Sequence, residues 1–205
     1  MEQNGLVSKK YWLFIGVGLA ALLVVVALGY GSWWGAPKME TLKTIQNFSL
    51  DRIDGQKVQF DDTKGKVKLV SFIFTRCPDV CPVTTDYMSQ MQKELQAKGL
   101  FGSEVLFYSI SFDTENDTPE VLENYAKKFN ADLANWYFLR GDEASMKKAT
   151  NEFWFGAEKQ ANGIYIHTMK TYLVDKQNNL RKMYGMGSEL DMQQVVKDIE
   201  QLTKE

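Results

Sequence analysis

The 205-residue sequence predicts a mixed α/β domain behind a single transmembrane helix. Three observations carry this expectation. Tyr11 to Tyr30 is an apolar run without one charged residue. Downstream, short β-rich apolar runs alternate with segments of helical spacing. Both cysteines fall on a loop between one such run and a helical pattern. Removing the anchor and its flank leaves roughly 160 residues, enough for one domain with its own core. The formal net charge of −2 gives no electrostatic footprint for nucleic acid.

Residues 1–10 read as a cytoplasmic tail and 11–30 as the anchor. A helix of about 20 apolar residues crosses the ~30 Å hydrocarbon core. Lys9 and Lys10 before it place the N-terminus in the cytoplasm, and Trp33 and Trp34 suit the far interface. Ala27-Leu28-Gly29 loosely resembles a signal-peptide cleavage site, but the apolar run is longer than a signal core, which favours a retained anchor. No cysteine lies near this segment, so lipid modification of a cysteine is excluded. The ten residues ahead of the anchor are too few for a mitochondrial transit peptide. The expected location is therefore a bacterial cell membrane, with the domain outside the cytoplasm. Residues 31–45 read as a linker broken by Gly35, Pro37 and Lys38. The folded domain is expected over 46–205.

Within the domain, Phe48-Ser49-Leu50 and Val58-Gln59-Phe60 alternate around Asp54-Gly55, a hairpin signal. Val67 to Phe74 is nearly continuous and β-rich, as in a central strand covered on both faces. After the cysteines, Met88, Met91 and Leu95 keep a helical spacing that stops before Gly99. Val105 to Ile110 predicts another strand. Asp117-Thr118-Pro119 opens a helix whose buried face is Val121, Leu122, Tyr125, Ala126 and Phe129. Trp136 to Leu139 predicts a short strand, and Asp142 caps a helix reaching about Phe153. Thr171 to Val174 and Leu180 to Met183 predict two strands around a turn-rich run. Ser188-x-x-Asp191 opens the last helix, with Val195, Val196, Ile199 and Leu202 inward. Cysteines at the carboxyl end of a central strand, just ahead of a helix, match a thioredoxin-like arrangement with an added N-terminal hairpin.

The chemistry lies in Arg76-Cys77-Pro78-Asp79-Val80-Cys81-Pro82. Pro82 suits a first helical position, making Cys81 the expected N-cap, with its thiol pKa lowered by the helix N-terminus. Arg76 is expected to help the Cys77 thiolate. The spacer lets the sulfurs either form a disulfide or clamp one metal ion. A bridge over so short a loop stabilises little, which favours function over a staple. Thiolates select copper(I), zinc or iron–sulfur iron, and structural zinc needs four ligands. His167 is the only histidine, set just before a predicted strand where a hairpin tip could reach the cysteine loop. Two thiolates and one imidazole suit copper. Met183 and Met186 read as packing residues rather than ligands, and Trp154-Phe155-Gly156 as core rather than a partner contact.

The stretch from Phe74 to Pro82 resembles the signature of the Sco/SenC family, the copper-binding proteins of cytochrome c oxidase assembly. Ser109 to Glu120, with Asp113 and Asp117, resembles that family's acidic segment. His167 followed by Tyr172-Leu173-Val174-Asp175 resembles its histidine segment, and Lys64-Gly65-Lys66 its usual run-up. The likeness covers about residues 46–203. The resemblance implies a thioredoxin-like fold, with copper held by Cys77, Cys81 and His167. It also implies a role in building the binuclear copper site of cytochrome c oxidase subunit II. It makes Asp113 an extra ligand or a group that orients one; the alternative is a loop carboxylate shaping the turn. Ile166 departs from the family's frequent acidic or polar residue before the histidine.

Two functions stay open. One is a copper metallochaperone, binding Cu(I) or Cu(II) and passing it on by ligand exchange. The other is a thiol–disulfide oxidoreductase cycling Cys77–Cys81 to keep the partner's cysteines reduced. The spacer is wider than that of general oxidoreductases, which favours metal. Other copper chaperones or thiol reductants are expected partners, and no turnover enzyme is expected.

Overall fold

A computed structural model describes residues 4–33 and 38–205. The chain divides into two units, Met1–Lys38 and Met39–Glu205. In the first, α1 runs from Asn4 to Trp33. Its described side chains, at 11, 12 and 14–26, are exposed. Among the described residues no helix is long and apolar enough to cross a membrane. The side chains of Lys9, Lys10, Ala27, Leu28 and Trp33 lie outside the described residues, as do Trp34, Gly35 and Pro37 altogether. The expectations resting on them lie there too.

The second unit carries one sheet. In chain order its first strands are β1 (Lys43–Thr44), β2 (Ser49–Arg52), β3 (Lys57–Gln59), β4 (Val67–Ile73) and β5 (Val105–Ser111). Then come β6 (Trp136–Arg140), β7 (Ala157–Lys159), β8 (Tyr165–His167), β9 (Lys170–Val174) and β10 (Asn179–Gly185). The helices are α2 (Val80–Ala97), α3 (Pro119–Lys128), α4 (Glu143–Glu152) and α5 (Met192–Lys204). The main sheet has the order β1-β10-β9-β4-β5-β6-β2-β3, and β7 and β8 pair separately. Only β4-β5-β6 run parallel; β9 lies antiparallel to β4 on its other side.

β4 is buried at every position, Lys68 and Ser71 included, as its nearly continuous apolar run predicts. Its residues divide between two cores. Leu69 and Ile73 join α2, α3 and α5 residues such as Met88, Leu122 and Ile199. Val70 and Phe72 join α4 and hairpin residues such as Met146, Phe153, Leu50 and Phe60. A strand covered on both faces holds its ends rigidly, and the cysteine loop leaves from the carboxyl end of this one. The result is the expected thioredoxin-like α/β fold.

The β2–β3 hairpin forms as expected, with Leu50 opposite Val58 and Gly55 at φ +83° in the turn. Thr118 caps α3 through Val121 N–H, Asp142 caps α4 through Ser145 N–H, and Pro119 starts α3. Four local expectations change. Lys43 and Thr44, read as linker, form β1 against β10, and Ile45 beside them is buried. Val121, expected inward, stands 37% exposed, because the buried face of α3 is set by Leu122, Tyr125 and Ala126. Asp191 rather than Ser188 caps α5, accepting from Gln194 N–H, while Ser188 sits in a separate 3-10 turn. Cys81 is not a cap: α2 begins at Val80 with Asp79 at the cap position, so Pro82 falls inside the first turn.

Candidate metal centre

β4 ends at Ile73 and α2 begins at Val80, so the intervening loop is short and fixed at both ends. Asp117 anchors its start. This fully buried carboxylate accepts from Thr75 N–H at 3.1 Å, from Thr75 Oγ1 at 2.5 Å and from Ser111 Oγ at 2.5 Å. Sequence reading placed Asp117 at a helix start; its partners instead tie the cysteine loop to the end of β5. Gly187 secures the N-terminal end of α2 by donating its N–H to Thr84 Oγ1 at 2.8 Å.

Both cysteines are free thiols and buried, Cys77 at 9% exposure and Cys81 at 0%. The Cys81 N–H, in the first turn of α2, donates to Cys77 Sγ at 3.4 Å. The helix N-terminus therefore serves Cys77 and not Cys81. The hydrogen bond from the Cys81 side chain, with the backbone at Asp79 and Cys81, outweighs burial and pulls the Cys77 pKa down to about 4. Cys81 moves the other way: donating to Cys77, and burial, push its thiol well above the ordinary range. The expectation of a lowered Cys81 pKa is thus corrected. Arg76 does not serve a thiolate either, since Asp113 holds its guanidinium.

Asp113 is fully buried and its two oxygens are engaged. Oδ2 accepts from Arg76 Nη2 at 2.9 Å and Nε at 3.3 Å. Oδ1 accepts from Asn116 Nδ2 at 2.8 Å and from the Tyr165 hydroxyl at 3.2 Å. Burial alone would raise its pKa, but these donors outweigh it and hold the carboxyl below its usual value. The carboxylate joins the cysteine loop, through Arg76, to the β7–β8 hairpin, through Tyr165. Lys159 makes a second tie from the hairpin, pairing with Glu115 at 2.6 Å.

His167 ends β8, opposite Ala157. Its ring packs against Phe74, Phe112 and Phe155, with centroids 5.3–5.9 Å apart. His167 Nδ1 lies 3.0 Å from the Thr168 carbonyl. A carbonyl only accepts, so Nδ1 carries the proton and Nε2 keeps its lone pair, the form in which imidazole binds a metal. Cys77 and His167 line one cleft of about 250 Å³, together with Phe74, Asp79, Ile166 and Met169. Among the described residues no three His, Cys, Asp or Glu side chains stand as a ready cage. Cys77 accepts from the Cys81 N–H and shares the cleft wall with His167. The donor set of two sulfurs and one imidazole fits a soft ion; Cys81, at 0% exposure, is not among the residues lining the cleft. Met186 is core at 2% exposure, and Met183, at 38%, does not line the cleft. Phe155 is core, whereas Trp154 is 54% exposed and takes φ +51°, a conformation rare for a bulky residue. Met169 was missed in the sequence, where nothing sets it apart from the other methionines.

The SCO1/SenC family model matches residues 36–204. A SCO1/SenC family lipoprotein from Bacillus anthracis str. Ames is similar in structure. It is 32% identical with a TM-score of 0.72, over 80% of this chain and 97% of that one. BsSco, a member of the Sco family of cytochrome c oxidase assembly proteins in which a disulfide switch was identified, is 29% identical. Its TM-score is 0.69 over 82% of this chain and 98% of that one. ScoI of Bradyrhizobium japonicum, solved with copper bound, is 25% identical with a TM-score of 0.66, over 78% and 99% of the two chains.

Proposed function

The chain belongs to the SCO1/SenC family, and we propose that it takes up copper at Cys77, Cys81 and His167 and hands it on during cytochrome c oxidase assembly. The observation that carries this reading is a thiolate at Cys77, held between a second thiol and an imidazole in the wall of an open cleft. The chain binds copper as cargo. Cys77 offers its thiolate at neutral pH. Cys81 gives up its S–H proton as it joins, and His167 adds a nitrogen that copper(II) requires more than copper(I) does. Asp113 acts as a clamp that ties Arg76 of the cysteine loop to Tyr165 in the cleft wall, its oxygens already being engaged. Copper in ScoI and the assembly role of BsSco support the reading.

The recipient in this reading is the binuclear copper site of oxidase subunit II, with other copper chaperones or thiol reductants upstream. Residues 11–30 anchor the chain in a bacterial cell membrane, with residues 1–10 in the cytoplasm and the domain outside. The support for the anchor is the charge-free run after Lys9 and Lys10.

A second reading rests on the split between the two thiols. A low-pKa Cys77 attacks a partner disulfide, and Cys81 then resolves the mixed disulfide, leaving the partner reduced and Cys77–Cys81 oxidised. The testing experiment is anaerobic copper(I) titration of the reduced full-length chain in detergent. One copper per chain is expected, with tight binding lost in Cys77→Ser and in Cys81→Ser. Unchanged stoichiometry and affinity in either variant would remove the copper site.

A further inference from the structure

We infer that Met169 is the entry ligand of the cleft, the first side chain of this protein to meet copper before it passes to Cys77 and Cys81. This rests on the copper reading above. Met169 lines the same cleft as Cys77 and His167. It lies in the turn between β8 and β9, and that turn is fixed. Thr168 N–H donates to the Gly156 carbonyl at 2.9 Å, Gly156 N–H donates to Thr168 Oγ1 at 3.0 Å, and the Thr168 carbonyl holds His167 Nδ1. The backbone under Met169 is therefore held while its side chain stands 43% exposed. Methionine used as filler is buried, as Met88, Met91 and Met186 are at 0, 1 and 2%. A half-exposed thioether in the wall of a thiolate cleft is not filling a core.

Exposure grades the three sulfur-bearing residues, from Met169 at 43% through Cys77 at 9% to Cys81 at 0%. Donor strength runs the same way. A thioether is soft but neutral and weak, and a thiolate is soft and charged. Each exchange inward therefore replaces a weaker donor by a stronger one, and the reverse path opens when a partner supplies competing thiolates. Cys77 displaces the thioether as a thiolate already formed, and Cys81 follows by losing its S–H proton to water. Copper stays copper(I) throughout, so no oxidant or reductant is needed. The lining also includes the exposed carboxylate of Asp79 and no Lys or Arg, which suits a cation entering at this mouth.

The test uses the reduced full-length chain in detergent, without oxygen, with copper(I) supplied from a chromogenic chelator. Met169→Leu keeps volume and apolar character and removes the sulfur. The expected result is copper uptake at least fivefold slower in Met169→Leu, with stoichiometry unchanged. In wild-type chain labelled at its methionine methyls, the resonance missing from Met169→Leu should shift on adding one equivalent of copper(I). Uptake within twofold of wild type, or an unmoved Met169 methyl, overturns the inference while Cys-dependent binding leaves the copper reading standing. No copper binding by either protein overturns both.

Discussion

A thiolate at Cys77 predicts a pH profile that no ordinary cysteine shows. An unperturbed thiol titrating near 9 is about 1% ionised at pH 7 and about 0.01% at pH 5. Cys77, pulled down to about 4, is almost wholly ionised at both. Intrinsic nucleophilicity falls with pKa at a Brønsted slope of roughly 0.45, so a five-unit drop costs about 200-fold per thiolate. The two effects nearly cancel at pH 7, and at pH 5 the low-pKa thiol is still ahead by on the order of 50-fold. Alkylation of the reduced chain by iodoacetamide, followed by mass spectrometry from pH 3 to 9, should give a rate for Cys77 that is flat above pH 5. Cys81 should react far more slowly throughout. The largest cause of the low pKa is the hydrogen bond from the Cys81 side chain. Cys81→Ala should therefore move the Cys77 midpoint up by at least about one unit, roughly 1.4 kcal/mol of lost thiolate stabilisation. A wild-type rate climbing tenfold per pH unit up to pH 8, or a midpoint unmoved in Cys81→Ala, would refute this account of the thiol pair.

Stability should also follow pH. Between pH 4 and 9 the unfolded chain holds a proton on Cys77 that the folded chain has released, so the reduced protein should gain stability as pH rises through that window and lose it as pH falls toward 4. Urea titrations should show a shallower rise in Cys77→Ser; an identical rise counts against the thiolate. Lys68 adds a second contribution, since burial pulls its pKa down to about 7. From pH 7 to 10 the unfolded state is the more protonated at this site too, and Lys68→Met should flatten the rise there; an unaltered slope contradicts it. Asp117→Ala strips the loop of its acceptor for Thr75 and Ser111 and should cost on the order of 3 kcal/mol by denaturant midpoint. A cost within error of zero would mean that the loop is held otherwise. Asp113→Asn should keep one copper per chain and weaken binding by less than about tenfold, because both carboxylate oxygens are already engaged by Arg76, Asn116 and Tyr165. Loss of copper in that variant would make Asp113 a ligand.

Most of the fold was legible because its elements rest on local patterns. The mostly apolar β4, the Thr118-Pro119 and Asp142 helix starts and the Asp54-Gly55 hairpin each carry their signal within a few residues. Cys77, Cys81 and His167 stood out by chemistry and by likeness to a family, and the structure sets Cys77 and His167 in one cleft wall. The electrostatics of the loop were not legible. Sequence cannot say whether Pro82 falls at the first or the third helical position, and that offset decides which sulfur meets the helix N-terminus. Arg76 adjoins Cys77 in the chain but spends its charge on Asp113, 37 residues away. β1 escaped notice because two residues beside a linker carry no periodicity. Met169 looks like any other methionine until the turn after His167 sets it in the cleft wall.

In the proposed function Cys77, Cys81 and His167 converge on one copper ion. X-ray absorption at the copper edge, on reduced full-length chain loaded anaerobically and then air-oxidised, tests it most directly. Sulfur neighbours are expected in both states, with an imidazole nitrogen prominent in the oxidised state. His167→Ala should lose that nitrogen and most copper(II) affinity while keeping copper(I) on two sulfurs. Identical spectra and affinities in wild type and His167→Ala, in both oxidation states, would contradict this convergence.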